Sequence, residues 1–297
     1  MRKVIYLILV VLFIGLWLLM MNVFSGDVVF TNSFFVGEFS IHYYGLILGI
    51  AVLSAYLLAK RRANKFGISA SQVDDISVWL IVSGFVGSRL YHVASSWDYY
   101  IINPVEIFFV WNGGLSIFGA IIGGLIGLYF YKKFKSSNLN YFAMLDWLAP
   151  SVILGQIIGR FGNLVNYEAY GIPTDLPWKM FVPVANRLSP YEAFEFFHPL
   201  FLYEALAGLL ILLILLNFSR LNKSLKLPKF CGQIFWIWIG LYGLVRIFTE
   251  YLRVDSPYLG SIKQNMLVAG LMVVTTIIVT MISIRNQKKT EHESIST

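Results

Sequence analysis

The run Gly159-Arg160-Phe161-Gly162-Asn163-Leu164-Val165-Asn166-Tyr167-Glu168-Ala169-Tyr170-Gly171 gathers the groups in this chain best suited to handling an anion. It follows directly on a mostly apolar stretch, Trp147 to Ile158. As a helix, this spacing puts Arg160 and Asn163 on one face, with Asn166 three residues further along it. A guanidinium is a planar fork of N–H donors that makes paired, charge-assisted hydrogen bonds, which suits a phosphate. Ionisable groups in hydrocarbon are costly and normally face a protein interior or a watery cavity. An arginine that merely snorkels to the surface needs neither two asparagines nor a glutamate beside it. Gly155, Gly159 and Gly162 remove side-chain bulk near the arginine, so a neighbouring helix or a substrate can come close.

The elements that position these groups are membrane helices. With 58% hydrophobic and 13% charged residues and a mean hydropathy of +0.70, the chain is no ordinary soluble protein. Eight apolar segments stand out, roughly 4–24, 43–60, 76–96, 112–131, 143–166, 199–219, 231–252 and 265–284. Lengths near 20 residues predict an all-α, multi-pass membrane protein of about eight transmembrane helices. Five clusters in alternate gaps hold 16 of the 23 basic residues: Arg2/Lys3, Lys60/Arg61/Arg62/Lys65, Lys132/Lys133/Lys135, Arg220/Lys223/Lys226/Lys229 and Arg285/Lys288/Lys289. The positive-inside rule then places both termini in the cytoplasm. The net charge of +7 is topological on this reading and implies no nucleic-acid partner. Cys231 is the only cysteine, which excludes a disulfide framework and a cysteine-based metal site. Its Phe230-Cys231-Gly232 setting supplies no base for a thiol nucleophile. Residues 1–30 read as an additional N-terminal span that stays uncleaved, 31–285 as the membrane domain, and 286–297 as a cytoplasmic tail, disordered after Arg285.

Placing the remaining polar groups by this topology brings them to one side. A first outer loop, Ser25 to Ile41, leads to His42 and Tyr44 at the mouth of the second span. Arg89 falls in the outer half of the third span, near Tyr91 and His92, and His92 reads as a packed or interfacial residue. Gly113 and Gly114 open the fourth span, where exposed backbone N–H groups form a candidate anion cradle. Gly119, Gly123 and Gly127 recur at intervals of four, a spacing that serves close helix packing. After the Arg160 motif comes the longest loop, Tyr167 to His198, with four prolines and the aromatics Trp178, Phe181, Tyr191, Phe194, Phe196 and Phe197. A lid resting on the membrane surface has this composition, and so does an inert interfacial loop. His198, Tyr203 and Glu204 begin the sixth span, while Arg246, Glu250 and Arg253 end the seventh. Arg246 and Glu250, four apart, also fit a self-contained ion pair. Six spans thus contribute polar groups at their outer ends, with nothing of comparable density on the cytoplasmic side. A pathway through the membrane needs polar steps on both sides, so the pattern points to a chamber open to the outer leaflet. A phospholipid head group is its natural ligand.

These residues carry a resemblance. The opening motif resembles the G-R-x-G-N-x-x-N-x-E-x-x-G signature of the prolipoprotein diacylglyceryl transferase family. So do His42-Tyr43-Tyr44-Gly45, Gly113-Gly114-Leu115-Ser116, His198-Pro199 with Leu202-Tyr203-Glu204, and Arg246-Ile247-Phe248-Thr249-Glu250 with Arg253. They stand in the family's order and cover about residues 40–280. The resemblance implies a multi-pass enzyme of the bacterial cytoplasmic membrane, active toward the outer leaflet and needing no cofactor or metal. It would move the sn-1,2-diacylglyceryl group of phosphatidylglycerol to the lipobox cysteine of a prolipoprotein, forming a thioether and releasing glycerol phosphate. Its partners would be phosphatidylglycerol, the prolipoprotein signal peptide and membrane lipids.

The chain departs from the family at Phe118, where many members carry a histidine, and at Lys263-Gln264, where they read Gly-Gln. Segment 4–24 lies outside the family's seven-span core.

On this resemblance Arg160 and Arg246 would hold the phosphodiester and take up charge as the C–O bond breaks. Asn163, Asn166 and Glu168 would bind the glycerol head group and orient Arg160, and Tyr44 would position the head group. Arg89, Gly113, Gly114, Gly171, His198, Tyr203, Glu204 and Arg253 complete the expected substrate-binding set, with Arg160, Arg246, Glu250 and His42 as the catalytic one. The acceptor of the thiol proton stays open among His42, Glu250, His198 and the lipid phosphate. Two rivals share these residues: a catalytically silent lipid-binding relative and an anion transporter. The transporter predicts an internal repeat, which the two halves of the chain do not display.

Overall fold

A computed structural model describes residues 20–135, 138–225 and 230–296. In hydrocarbon a backbone amide or carbonyl finds no water, and a helix satisfies both within one segment. The apolar runs accordingly form long helices: α1 (Tyr43–Arg62), α2 (Ala70–Ser95), α3 (Ile117–Lys135), α4 (Tyr141–Asn166), α5 (Leu200–Leu225), α6 (Gln233–Leu252) and α7 (Gln264–Ser296). Among the described residues, six helices are long and apolar enough to cross a membrane, all of these except α6. The α6 helix has spanning length, but Gln233, Arg246 and Glu250 interrupt its apolar run. The protein is thus an all-α, multi-pass membrane protein.

Three expectations need revision or fall outside these residues. Segment 4–24 lies mostly outside the described residues, of which 20–25 are helical. The fourth apolar segment becomes helical only at Ile117, because Gly113 (φ +89°) and Gly114 (φ +75°) adopt left-handed backbone that a helix cannot use. The tail after Arg285 is not disordered: α7 runs on to Ser296, through a sequence rich in the helix formers Gln, Lys and Glu.

The chain packs as two compact units, one of residues up to Ala55 with those from Ala149 on, the other of Tyr56–Leu148. In the second unit, small residues let α2 and α3 approach closely. A Cβ on Gly87 would lie 2.5 Å from the Gly119 carbonyl oxygen and 2.8 Å from Gly123 Cα. The expected packing role of Gly119, Gly123 and Gly127 is met here, against Gly87 and Ser83.

In the first unit, α6 and α7 meet at Gly240 and Gly243, where added Cβ atoms would meet Thr276 and the Ala269 carbonyl. Three short antiparallel hairpins decorate the helices: β1 (Ser33–Val36) with β2 (Phe39–His42), β3 (Met180–Phe181) with β4 (Phe196–Phe197), and β5 (Tyr258–Leu259) with β6 (Ile262–Lys263). The second hairpin folds the long loop inward. Phe197 and Met180 join Val23, Leu164, Tyr167, Tyr170, Val182 and Phe201 in a buried core. Phe197 is therefore a core residue rather than a membrane-surface one, while Trp178 and Phe194 stay half-exposed. The end of the N-terminal segment also enters this core, since Val23 is fully buried and the Phe30 amide donates to the Tyr167 hydroxyl at 2.9 Å.

Candidate active site

Within the first unit, polar residues collect at one end of the bundle: the start of α1, the end of α4, the start of α5, the end of α6 and the start of α7. Glu204, in the second turn of α5, is the hub. Its Oε1 accepts from Arg246 at 2.8 Å, and its Oε2 forms an ion pair with Arg160. That second contact is a close charge pair without hydrogen-bond alignment. Arg253 lies 4.0 Å from Glu204 Oε1. Arg246 also donates to Glu250 Oε2 at 2.5 Å. The four-residue spacing of Arg246 and Glu250 is therefore not a self-contained pair but one edge of a network joining α4, α5 and α6. Two guanidiniums this close repel each other, and the carboxylate between them offsets that repulsion.

Arg160 is steered from its own helix as the spacing predicts. Its Nη1 donates to Asn163 Oδ1 at 3.4 Å, and Asn163 Nδ2 donates to Glu168 Oε1 at 2.9 Å. The end of α4 makes this chain possible. The Tyr167 amide bonds to the Leu164 carbonyl and the Glu168 amide to the Asn163 carbonyl, a pattern that turns the backbone through a left-handed residue. Here that residue is Tyr167 (φ +50°), followed by Ala169 (φ +58°), positions where glycine is usual. Tyr44 packs its ring on Gly162, where a Cβ would lie 2.6 Å from the ring. Gly159 faces open space, so only one of these two glycines serves the packing.

Other expected residues serve the frame. The Gly171 amide donates to the His198 carbonyl at 3.0 Å and the Ile172 amide to the Leu252 carbonyl at 2.8 Å, and Gly171 bridges Arg253. These bonds tie the long loop to α5 and α6. Trp178 Nε1 donates to the Tyr203 hydroxyl at 2.7 Å, and that hydroxyl lies 3.0 Å from His198 Nδ1. The Tyr203 hydroxyl thus bridges the indole and the imidazole, accepting from one while hydrogen-bonded to the other. Burial lowers the His198 pKa below its ordinary value. Burial opposes the Arg253 charge, but the Asp255 carboxylate at 2.5 Å, with Glu204 and Glu250 behind it, raises its pKa above the ordinary arginine value. Among the described residues, no hydrogen bond or ion pair links the side chain of His42 or Asn166 to the arginine network. His42 is exposed at the end of β2, and the Asn166 carbonyl accepts from Asn186 at 3.1 Å.

Arg89, Gly113 and Gly114 belong to the second unit, and their geometry differs from an anion site. The buried Arg89 guanidinium donates to the carbonyls of Ile107 (2.8 Å), Gly113 (2.8 Å), Gly114 (3.0 Å) and Glu106 (2.5 Å). The Gly113 amide donates to Val110, so it is not free to cradle a phosphate. Phe118 packs its ring near Tyr91, centroids 6.1 Å apart.

Sequence reasoning missed Tyr242, Ser256 and Asn265. The Tyr242 hydroxyl lies 3.3 Å from Arg160 Nη2, and its place four residues before Arg246, on the same face of α6, was the available signal. Ser256 and Asn265 both donate to Glu250 Oε1, Asn265 at 3.0 Å.

Comparison with known proteins places this geometry. A protein of Synechococcus elongatus named phosphatidylglycerol–prolipoprotein diacylglyceryl transferase is 40% identical over 234 residues, 79% of this chain and 80% of that protein. Proteins of the same name from Fervidobacterium nodosum and Thermotoga maritima are each 36% identical, over 261 and 263 residues, covering 88% of this chain and 87% of theirs. The prolipoprotein diacylglyceryl transferase family profile matches residues 31–282, a span that takes in every residue of the Glu204 network, and the chain belongs to that family.

Proposed function

We propose that this chain transfers the sn-1,2-diacylglyceryl group of phosphatidylglycerol to the lipobox cysteine of a prolipoprotein, at the outer face of a bacterial cytoplasmic membrane. The observation that carries the reading is the meeting of Arg160 and Arg246, from α4 and α6, on one buried carboxylate of α5. The catalytic module is residues 31–285.

The sulfur lone pair of the substrate thiolate forms the S–C bond to the glycerol carbon. The C–O bond breaks, and its electron pair leaves on the phosphate oxygen. One negative charge thus passes from sulfur to phosphate, turning a monoanionic diester into dianionic glycerol phosphate. Guanidiniums already fixed by Glu204, Glu250 and Asn163 meet that growing charge without reorganising, which is where electrostatic catalysis gains most. The geometry narrows the choice of proton acceptor. Glu250 is enclosed, with its carboxylate taken up by Arg246, Ser256 and Asn265, which favours a role in holding Arg246. His198 Nδ1 is occupied by Tyr203. His42, His198 through its other ring nitrogen, and the departing lipid phosphate remain, and Phe118 has no proton to exchange.

The test is transfer from phosphatidylglycerol vesicles to a lipobox peptide. Arg160→Ala and Arg246→Ala should each lower the rate by about 10²–10³, and near-wild-type transfer by either variant would sink the assignment. Complementation of a transferase-depleted bacterium separates this reading from a silent lipid-binding relative and from an anion transporter, neither of which would restore growth.

A further inference from the structure

The last carbonyls of a helix have no partner within it. At the end of α6 the Leu252 carbonyl accepts from Ile172, and Lys263 takes three others. Its Nζ donates to the carbonyls of Glu250 (2.8 Å), Tyr251 (3.3 Å) and Arg253. An ammonium has three N–H donors, so all are engaged, and a cation suits the negative end of a helix. The β5–β6 pairing sets Lys263 opposite Tyr258, which folds the turn back onto α6. The same turn supplies Ser256, and the first turn of α7 supplies Asn265, both donating to Glu250 Oε1 while Oε2 holds Arg246. Capping alone would need only the carbonyl contacts. Two further donors on a fully buried carboxylate fix the side chain that orients Arg246.

We infer that Lys263, Asn265 and Ser256 are positioning residues for the transfer, holding Arg246 in register by immobilising Glu250 from both its main chain and its side chain. The inference rests on the reading that Arg246 grips the phosphodiester.

The full-length protein in phosphatidylglycerol vesicles tests it, with Asn265→Ala, Lys263→Met and Lys263→Arg made alone and together with Arg246→Lys. In the wild-type background Asn265→Ala and Lys263→Met should each lower kcat about tenfold with KM for the lipid changed less than about threefold, the mark of an interaction made in the transition state. Lys263→Arg keeps the charge and should retain most of the rate. With Arg246→Lys already present, the same substitutions should cost less than about twofold, because groups that act through one residue do not add. Equal fold-losses in both backgrounds would show a general structural role and overturn the inference, as would full activity of Asn265→Ala and Lys263→Met. Wild-type transfer by Arg246→Lys would overturn the reading of Arg246 and this inference with it. If Lys263→Met does not reach the membrane, Asn265→Ala decides alone, since it leaves the helix end capped.

Discussion

Glu204 shows how far a residue's type and position can be read from sequence. Arg160 and Asn163 were legible as partners because three residues on a helix are neighbours in any fold. Glu204 was legible as a polar group at the start of a span and, by the resemblance, as a substrate-binding residue, but not as the hub of the arginines. Its contacts with Arg160 and Arg246 cross 44 and 42 residues of chain, and no local spacing encodes them. Arg89 illustrates the converse limit, for a guanidinium satisfies backbone carbonyls as readily as phosphate oxygens, and its residue type does not choose. Removing the Glu204 charge leaves two largely buried arginines facing each other, and breaking such a pair costs about 3–5 kcal/mol. Glu204→Gln should therefore lower the thermal unfolding midpoint in detergent markedly and reduce transfer with it. His198 yields a pH prediction. Burial puts its folded pKa below the ordinary 6.5, so in that window the unfolded chain binds more protons than the folded one. Its contribution to stability is complete above 6.5 and declines as pH falls through the lower, folded value. Unfolding followed from about pH 5 to 7 should show wild-type stability rising with pH, and His198→Gln should flatten that slope.

The helices themselves were legible because hydrocarbon leaves the backbone no alternative. Their exact starts were not, as the delay of α3 to Ile117 shows: the left-handed conformation of Gly113 and Gly114 is a property of the folded backbone that no hydropathy pattern reveals. Helix packing was readable where small residues recur at intervals of four. Gly123→Leu should force α2 and α3 apart, since even a Cβ at this position would lie 3.0 Å from Gly87 Cα. Overpacking costs of this kind run to about 1–3 kcal/mol, readable as a lower unfolding midpoint. The turn after α4 was not readable, because left-handed residues there are Tyr167 and Ala169 rather than glycine. A β-branched side chain is a severe outlier at positive φ. Ala169→Val should cost about 2 kcal/mol, and by loosening the Glu168–Asn163 bond it should slow transfer several-fold in the vesicle assay.

For the whole molecule, the alternation of basic loops predicted that the polar ends would share a side. In the first unit Tyr44, Arg160, Glu204, Arg246 and Glu250 gather where four helices begin or end, and Asn265, which the sequence reading missed, joins them from a fifth. What the alternation could not say is which charges neutralise which. That answer has a consequence for an enzyme exposed to dissolved anions. On the proposed reading, Glu204 sits where an incoming phosphate would otherwise find bare guanidiniums, and it would compete with inorganic phosphate for them. In Glu204→Gln that seat is vacant, and any anion that binds only the folded state stabilises it. Millimolar inorganic phosphate should thus raise the variant's unfolding midpoint back toward the wild-type value and leave the wild type unmoved. A midpoint that ignores phosphate in both proteins would mean that the carboxylate shields nothing.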